Sequence, residues 1–92
     1  SNSRISPYDN LIKAYAAKLG WDWRLLASII YNESKFAIFA KSSRGACGLM
    51  QVMPQIASHY GVHDLTDPES NMVIWEDAYE VKRFNVNSVV YR

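Results

Sequence analysis

The sequence of 92 residues predicts one domain that is mainly α-helical. Apolar side chains recur every three or four residues in the first third of the chain, as they do on the buried face of a helix. Helix start signals, in which a capping residue or a proline precedes such a stretch, recur along the chain. Only the last ten residues, RFNVNSVVYR, are rich in side chains that favour a strand.

The first two helices are predicted from their ends and their apolar spacing. Residues 8–19 form the first, where Ser6 and Asp9 make a capping-box-like pair and Gly20 is the expected stop. Asp22 is the predicted cap of the second helix. The buried stripe of that second helix contains Leu26, Ile29 and Ile30.

The rest of the chain is predicted as a long loop followed by two more helices. Residues 35–47 form the loop, and a short helix begins at Pro54 and is closed by Gly61. A further helix is expected from residue 68 to about residue 82. Three interpretations fit residues 83–92: a short helix, an irregular tail, or a strand that pairs with a second copy in a dimer.

Composition excludes several classes of function. The net charge is +1 and no basic face is evident, so nucleic-acid binding is not predicted. Cys47 is the only cysteine, and no spacing suits metal ligands, so neither a disulfide, a metal site nor a cofactor is expected. The chain has no export signal and no apolar run that would span a bilayer. Residues 1–2 resemble a tag-cleavage scar, which leaves residues 3–92 as the domain.

Glu33 is the residue best placed for acid chemistry. It follows Ile29 by four residues and Leu26 by seven, so its side chain is expected on the apolar face of the second helix or at the edge of that face. Desolvation and the negative end of the helix would both favour its protonated form. A protonated carboxyl is what general-acid cleavage of a glycosidic bond requires. The alternative is a Glu33 side chain that simply ends the helix in water.

The turn after the loop offers groups that suit a ligand site beside Glu33. Gly48 permits a close approach of backbone to a ligand, and the Gln51 amide can both donate and accept hydrogen bonds. Met50 can line an apolar groove, although methionine at this spacing also suits a protein core. Ser34 can hydrogen-bond locally next to the acid.

Three motifs carry a resemblance to a known family: Glu33-Ser34-x-Phe36, Ala40-x-Ser42 and Gly45-Ala46-x-Gly48-Leu49-Met50-Gln51-x-Met53-Pro54. Together they resemble the SLT-type, lysozyme-like lytic transglycosylase domain of soluble and membrane-bound bacterial enzymes that degrade murein. The similarity extends over residues 8 to 74.

The resemblance implies a lysozyme-like helical fold, a substrate and a set of roles. Members cleave the β-1,4 bond between N-acetylmuramic acid and N-acetylglucosamine, and Glu33 would act as the acid and then as the base. The muramic acid 6-hydroxyl, rather than water, would complete the reaction and leave a 1,6-anhydro end. By the same resemblance the groove is lined by Ser42, Gly48, Met50 and Gln51, and structural support comes from Ser34, Pro54 and Asn71.

The sequence departs from the family pattern after Asn71. Trp75 stands where the family has a small glycine, and the family's later Ala-Tyr-Asn-Ala-Gly motif is missing, so the domain is expected to be truncated at its C-terminus. Two alternatives stay open: a muramidase that uses water on the same fold, and a non-catalytic peptidoglycan-binding remnant. The resemblance implies peptidoglycan strands as the partner and a periplasmic or envelope location. Further domains of a longer protein and a dimer through the C-terminal tail also remain open.

Overall fold

A computed structural model describes residues 4–90 of the chain, with side chains through residue 83. In this part of the chain the helices are α1 (Asp9–Leu19), α2 (Trp23–Ser34), α3 (Pro54–His59) and α4 (Pro68–Val90). The first helix packs against both α2 and α4. The prediction of a mainly α-helical domain is confirmed.

The start of α1 is held by hydrogen bonds that Ser6 donates to Asp9 and accepts from Tyr8. The Asp9 carboxylate accepts from the Ser6 N–H at 2.8 Å and from Ser6 Oγ at 2.9 Å, and Ser6 Oγ accepts from the Tyr8 N–H at 3.1 Å. Ser6 and Asp9 are therefore in contact as predicted, but Ser6 is not the cap of α1. Regular helix begins at Asp9, and Tyr8, at the cap position, makes no capping hydrogen bond with its side chain. Burial opposes ionisation of Asp9, but the hydrogen bonds from Ile5 and Ser6 outweigh it and lower its pKa.

The junction between α1 and α2 follows the local signals in the sequence. Gly20 ends α1 in the left-handed conformation at φ 72°, which glycine adopts without steric cost. Asp22 then caps α2, because its Oδ1 accepts a hydrogen bond from the Arg24 N–H at 2.9 Å. Both predicted roles are confirmed.

The hydrophobic core connects the helices with the turn at residues 47–52. Its members come from α1, α2 and α4, with Ala57 from α3 and Leu65 from the segment before α4. The most deeply buried apolar side chains, each at most 2% exposed, are Ile12, Ala16, Leu26, Ala27, Ile30, Leu49, Met50, Ala57, Met72 and Ile74. Since Leu49 and Met50 belong to this core, the turn is fixed by packing as well as by hydrogen bonds.

The predicted loop contains a small antiparallel arrangement that the sequence did not indicate. Cys47 forms isolated bridges with Lys41 on one side and with Val52 on the other. The backbone groups of Cys47 and Val52 exchange two hydrogen bonds of 2.9 Å. The Cys47 thiol is half-buried and free, and it donates to the Gly45 carbonyl at 3.2 Å.

The last helix is longer than predicted. Asp67 caps it, since Asp67 Oδ2 accepts from the Ser70 N–H at 2.8 Å. However, α4 continues to Val90, so of the three interpretations of this segment the helix is the one observed through residue 90, although as an extension of α4 and not as a separate short helix. The β-propensity of valine depends on context, and extending an existing helix avoids the unfavourable nucleation step. Tyr91 and Arg92 lie outside the described residues, and a dimer formed by strand pairing loses its basis in residues 83–90.

Trp75 is accommodated in an aromatic cluster at the junction of α1 and α2. Its ring stacks on Tyr79, one turn further along α4, with ring centroids 5.6 Å apart. Trp21 meets both rings edge-on, at 6.0 Å from Trp75 and 5.4 Å from Tyr79. All three side chains are half-buried. The large ring at this position therefore packs between the chain's own elements.

Candidate active site

Glu33 lies at the edge of the apolar face of α2. Ile30 is fully buried and Ile29 is half-buried, whereas Glu33 is exposed. The expectation that its carboxyl is partly desolvated is therefore wrong. Of the two predicted positions, the edge of the apolar face is the one observed. Among the described side chains, no hydrogen bond or ion pair engages this carboxylate. Glu33 thus presents an unobstructed carboxyl group on the last turn of a well-packed helix.

Ser34 anchors the end of that helix beneath the acid. It is 7% exposed, and its Oγ donates to the Ile30 carbonyl at 3.3 Å. Because Ser34 is buried and Glu33 is exposed, this last turn has a fixed rotation that keeps the carboxyl on the outside.

The backbone reverses sharply after α2. Lys35 and Phe36 both have positive φ values, 53° and 63°, although neither is glycine. The Lys35 N–H donates to the Tyr31 carbonyl at 2.9 Å, and the Phe36 ring packs 5.9 Å from the Tyr31 ring. Such conformations cost about 1–3 kcal/mol each, and surrounding structure must hold them in place. Strained backbone directly after a candidate catalytic acid is typical of functional sites.

The turn at residues 47–52 is locked by Asn71, which is fully buried in α4. Asn71 Oδ1 accepts from the Met50 N–H at 2.8 Å. Its Nδ2 donates to the Cys47 carbonyl at 2.8 Å and to the Leu65 carbonyl at 2.9 Å. One amide therefore satisfies three buried backbone groups from two separate segments.

Gly48 makes this close approach possible. It is buried and has φ 76°, and a Cβ atom there would overlap the Asn71 amide and the Leu65 carbonyl oxygen. Its N–H donates to the Ala40 carbonyl at 2.9 Å, which joins the turn to the loop that follows Glu33.

Gln51 ties the same two segments together through its side chain. Its Nε2 donates to the Gly48 carbonyl at 3.0 Å and to the Ala40 carbonyl at 3.2 Å. Its backbone has φ 53°, a third positive value at a residue other than glycine. The amide nitrogen thus holds the loop, which leaves the amide oxygen as the atom suited to accept a hydrogen bond from a ligand.

The other predicted site residues lie around this network. Ser42 is exposed, and its Oγ accepts from the Ala46 N–H at 3.0 Å. Met50 is only 2% exposed, so its side chain belongs to the core and its backbone N–H to the Asn71 network. Pro54 begins α3. The structure thus joins Gly48, Met50, Gln51 and Asn71 by direct contacts, whereas Glu33 and Ser42 have no direct hydrogen bond to that group among the described residues.

A groove of about 260 Å³ runs from the turn along α4. Its walls are formed by Gln51, Val52, Met53, Ile56, Ile74, Trp75, Ala78, Tyr79 and Lys82. Trp75, Tyr79 and Lys82 are not among the site residues predicted from the sequence. Their spacing along α4 places them on one face, which is the signal that would have grouped them.

A second groove, of about 410 Å³, has acidic walls and includes none of the predicted site residues. Tyr60 Oη donates to Asp77 Oδ2 at 2.6 Å there, and this bond raises the pKa of Tyr60. Burial raises the pKa of Glu76, Lys18 opposes the rise, and the neighbouring charges of Glu80 and Asp77 add to it. This second groove is acidic, whereas the turn that carries Gln51 has no acidic residue.

The described residues contain no group of three or more His, Cys, Asp or Glu side chains placed to hold a metal ion. Between residues 4 and 90, no helix combines the length and the apolar character needed to cross a membrane.

Comparison with known proteins identifies the family. The model of the transglycosylase SLT domain matches residues 10–74, which is more than half of the chain. The membrane-bound lytic murein transglycosylase F of Desulfosudis oleivorans is 40% identical over 70 residues, covering 76% of this chain and 15% of that protein.

Two further relatives carry the same name. The protein from Maricaulis maris is 37% identical over 82 residues, covering 85% of this chain and 18% of the relative. The protein from Vibrio cholerae serotype O1 is 37% identical over 71 residues, which cover 77% of this chain and 13% of that relative. The matched stretch is thus less than a fifth of the length of these relatives. The family match spans Glu33, the turn at residues 47–52 and Asn71, and the chain belongs to the transglycosylase SLT domain family.

Proposed function

We propose that this chain is the murein-cleaving domain of a lytic transglycosylase and that Glu33 is its catalytic residue. The observation that carries the proposal is the family match across residues 10–74, because it includes Glu33 and the turn at residues 47–52. The exposed carboxyl of Glu33 on a rigid helix end adds support, since a general acid must reach the glycosidic oxygen.

The proposed reaction needs one carboxyl group. Glu33 donates its proton to the oxygen of the β-1,4 bond between N-acetylmuramic acid and N-acetylglucosamine, and the bond from that oxygen to the muramic acid C1 breaks. The carboxylate then takes the proton of the muramic acid 6-hydroxyl as its oxygen bonds to C1. Glu33 returns to its starting form, no water is consumed, and a 1,6-anhydro end remains. A nucleophile inside the substrate replaces the second carboxylate that most glycosidases use.

The residues around the turn take supporting roles in this proposal. Ser42 and Gln51 bind the glycan through their polar atoms. Gly48 and Met50 are both buried, so they support the turn that carries Gln51 and do not contact the glycan with their side chains. Asn71, Ser34 and Pro54 hold the backbone that carries them. A site so fixed would bind sugar without much rearrangement, which lowers the entropic cost of binding.

One observation favours a second candidate, a non-catalytic peptidoglycan-binding module. Trp75 occupies a position where the family has glycine, and it packs against Trp21 and Tyr79. In the described part of the chain no second polar side chain orients the Glu33 carboxyl. Such a chain would bind glycan strands and leave them intact.

The products of digestion separate these functions. Purified peptidoglycan would be incubated with the chain, and the released fragments identified by liquid chromatography and mass spectrometry. Fragments ending in 1,6-anhydro-muramic acid, one water lighter than hydrolysis products, are the expected result. Reducing ends would indicate a muramidase, and bound but uncleaved strands would indicate the non-catalytic module.

The substrate also sets the proposed location. Peptidoglycan lies in the bacterial envelope, and the relatives are named membrane-bound murein transglycosylases. We therefore propose that the chain acts in the periplasm or envelope as part of a longer protein. Fractionation of cells that express the full gene would test this, and a cytoplasmic pool alone would contradict it.

A further inference from the structure

The loop that follows Glu33 is positively charged and carries no carboxylate. Between Ser34 and His63 the chain has three cationic residues, Lys35, Lys41 and Arg44, and no Asp or Glu. All three side chains are exposed. Residues 64–83, by contrast, contain six acidic residues and two basic ones. A net charge of +1 for the whole chain therefore conceals a basic loop.

These charges lie in one ten-residue segment, residues 35–44, that also carries an exposed aromatic ring. Successive turns close it, with the Ala37 N–H donating to the Ser34 carbonyl at 3.0 Å and the Ala40 N–H to the Ala37 carbonyl at 3.1 Å. Phe39 lies in the second of these turns and is 76% exposed, the highest value among the large apolar side chains described. We call Lys35, Phe39, Lys41 and Arg44 the basic loop surface.

A ligand that fits this surface has carboxylates together with sugar or methyl groups. The two ammonium groups and the guanidinium group would donate to carboxylates, and an aromatic ring packs well on the apolar face of a sugar or on alanine methyl groups. Peptidoglycan has both features, because short peptides with free carboxylates are attached to its muramic acid. Lys35 follows Glu33 by two residues, so peptides attached to a sugar held at Glu33 lie within reach of this loop.

We infer that the basic loop surface binds the carboxylate-bearing peptides of the strand on which Glu33 acts, which rests on the proposed function. The chain would then prefer peptide-bearing strands to bare glycan. An anionic membrane is less suited to this surface. Stable attachment to a bilayer takes more than one weak anchor, and here a single large apolar side chain of the loop stands well out of the protein.

Binding to insoluble peptidoglycan tests the inference without any need for cleavage. The background is Glu33→Gln, so that strands stay intact, and binding is measured by co-sedimentation. The test variant replaces Lys35, Lys41 and Arg44 with Gln. The control replaces Lys13, Lys18 and Arg24 with Gln, which removes the same charge from α1 and α2. Each protein is assayed on intact strands and on peptide-free glycan. The peptide-free glycan is chitin, because strands stripped by an amidase keep a lactyl carboxylate on every muramic acid.

The test variant should bind intact strands about tenfold more weakly at low salt, since each exposed charge pair contributes a few-fold in affinity. The difference should vanish near 1 M salt, where the Debye length falls to ~3 Å. Both triple variants should bind peptide-free glycan like the parent, and the control should bind intact strands within about twofold of the parent. Phe39→Ser should weaken binding to intact strands several-fold.

Three results would overturn the inference. One is an equal loss of binding by the test variant on intact strands and on peptide-free glycan, which would indicate that the loop binds the saccharide itself. Another is an equal loss in the control variant, which would indicate a general charge effect. The third is strong binding of the parent to phosphatidylglycerol vesicles but not to intact strands. Absence of anhydro products from the unmodified chain would contradict the proposed function alone, since this assay does not depend on cleavage.

Discussion

Asn71 and Gly48 pack so closely that a Cβ atom at position 48 would overlap the Asn71 amide. The same atom would overlap the Leu65 carbonyl oxygen, and the backbone at Gly48 has φ 76°. Steric overlap and backbone conformation therefore both require glycine here. This contact fixes the turn that carries Gln51 against α4.

We expect Gly48→Ala to lower the free energy of unfolding by about 2–4 kcal/mol, because Asn71 and Leu65 would have to move and alanine is strained at this φ. Urea unfolding followed by circular dichroism measures the loss. Gly61→Ala is the matched control: its φ is 69° and its Cβ would meet nothing within 4 Å, so about 1 kcal/mol is expected. Equal losses in the two variants would mean that backbone strain alone explains the effect.

Replacing Asn71 should destabilise the chain through unpaired buried groups. Asn71→Ala leaves the Met50 N–H and the Leu65 carbonyl without their partner, at an expected cost of about 3–5 kcal/mol, whereas the Cys47 carbonyl keeps its bond from the Val52 N–H. Asn71→Asp keeps the shape but directs a carboxylate oxygen at two carbonyls, so it should cost at least as much. The measurements are urea unfolding and hydrogen exchange of the Met50 amide.

Asn10→Ala is the control for Asn71, because Asn10 is exposed on α1 and its change should stay within about 0.5 kcal/mol. An Asn71→Asp variant as stable as the parent would show that the amide donor makes no net contribution to the turn.

Glu33→Gln should separate activity from stability. The release of anhydro fragments should fall by about 10²–10⁴-fold, because the amide cannot transfer a proton. The free energy of unfolding should stay within about 0.5 kcal/mol of the parent, since Glu33 is exposed. Glu69→Gln, a change of the same kind at an exposed position on α4, should leave activity unaltered. Normal turnover by the Glu33→Gln variant would exclude this residue as the catalyst.

Lys35→Gly should stabilise the chain. Lys35 ends α2 in the left-handed conformation, φ 53°, which glycine adopts readily and lysine does not. We expect a gain of about 0.5–1 kcal/mol in the free energy of unfolding, measured with urea. Lys35→Ala removes the same charge while keeping a Cβ atom, so it should show no gain. If both variants gained the same stability, the loss of the lysine charge, and not the backbone conformation, would explain the effect.

The parts of the fold predicted from sequence are those that depend on neighbouring residues. Gly20 and Asp22 act within a few residues of their own positions, and both roles are confirmed. The predicted end of α4 was wrong. The preference of valine for a strand is weak, and continuing an existing helix outweighs it. The exposure of Glu33 shows the same limit, since its position relative to Ile29 allowed either the face or the edge of the helix.

The arrangement of the candidate site depends on contacts between distant residues. Asn71 reaches Met50 and Cys47 across 21 and 24 positions of sequence, and no local spacing encodes these bonds. The groove along α4 is similar: Trp75, Tyr79 and Lys82 share a helix face, but only the packed fold places that face beside Gln51. The family resemblance predicted that the turn residues and Asn71 belong to the site. Apolar periodicity alone gives no reason to distinguish Asn71 from other polar residues in helices.

Glu76 should make the chain less stable as pH rises. Its Oε2 is buried and has no hydrogen-bond partner among the described residues. Burial raises its pKa above the ordinary value of 4.5; Lys18 opposes this rise, and Glu80 and Asp77 reinforce it. Because the folded chain binds this proton more tightly than the unfolded chain, the contribution of Glu76 to stability is complete below pH 4.5 and is lost as pH rises through the raised pKa.

Glu76→Gln should remove this loss, because the amide occupies the same space without a charge to desolvate. We therefore expect the variant to unfold at a higher urea concentration than the parent at pH 7 and at nearly the same concentration at pH 4. Glu69→Gln should keep the pH dependence of the parent, since the Glu69 side chain is exposed in the first turn of α4. If the Glu76→Gln variant lost stability with rising pH as steeply as the parent, a group other than Glu76 would be responsible.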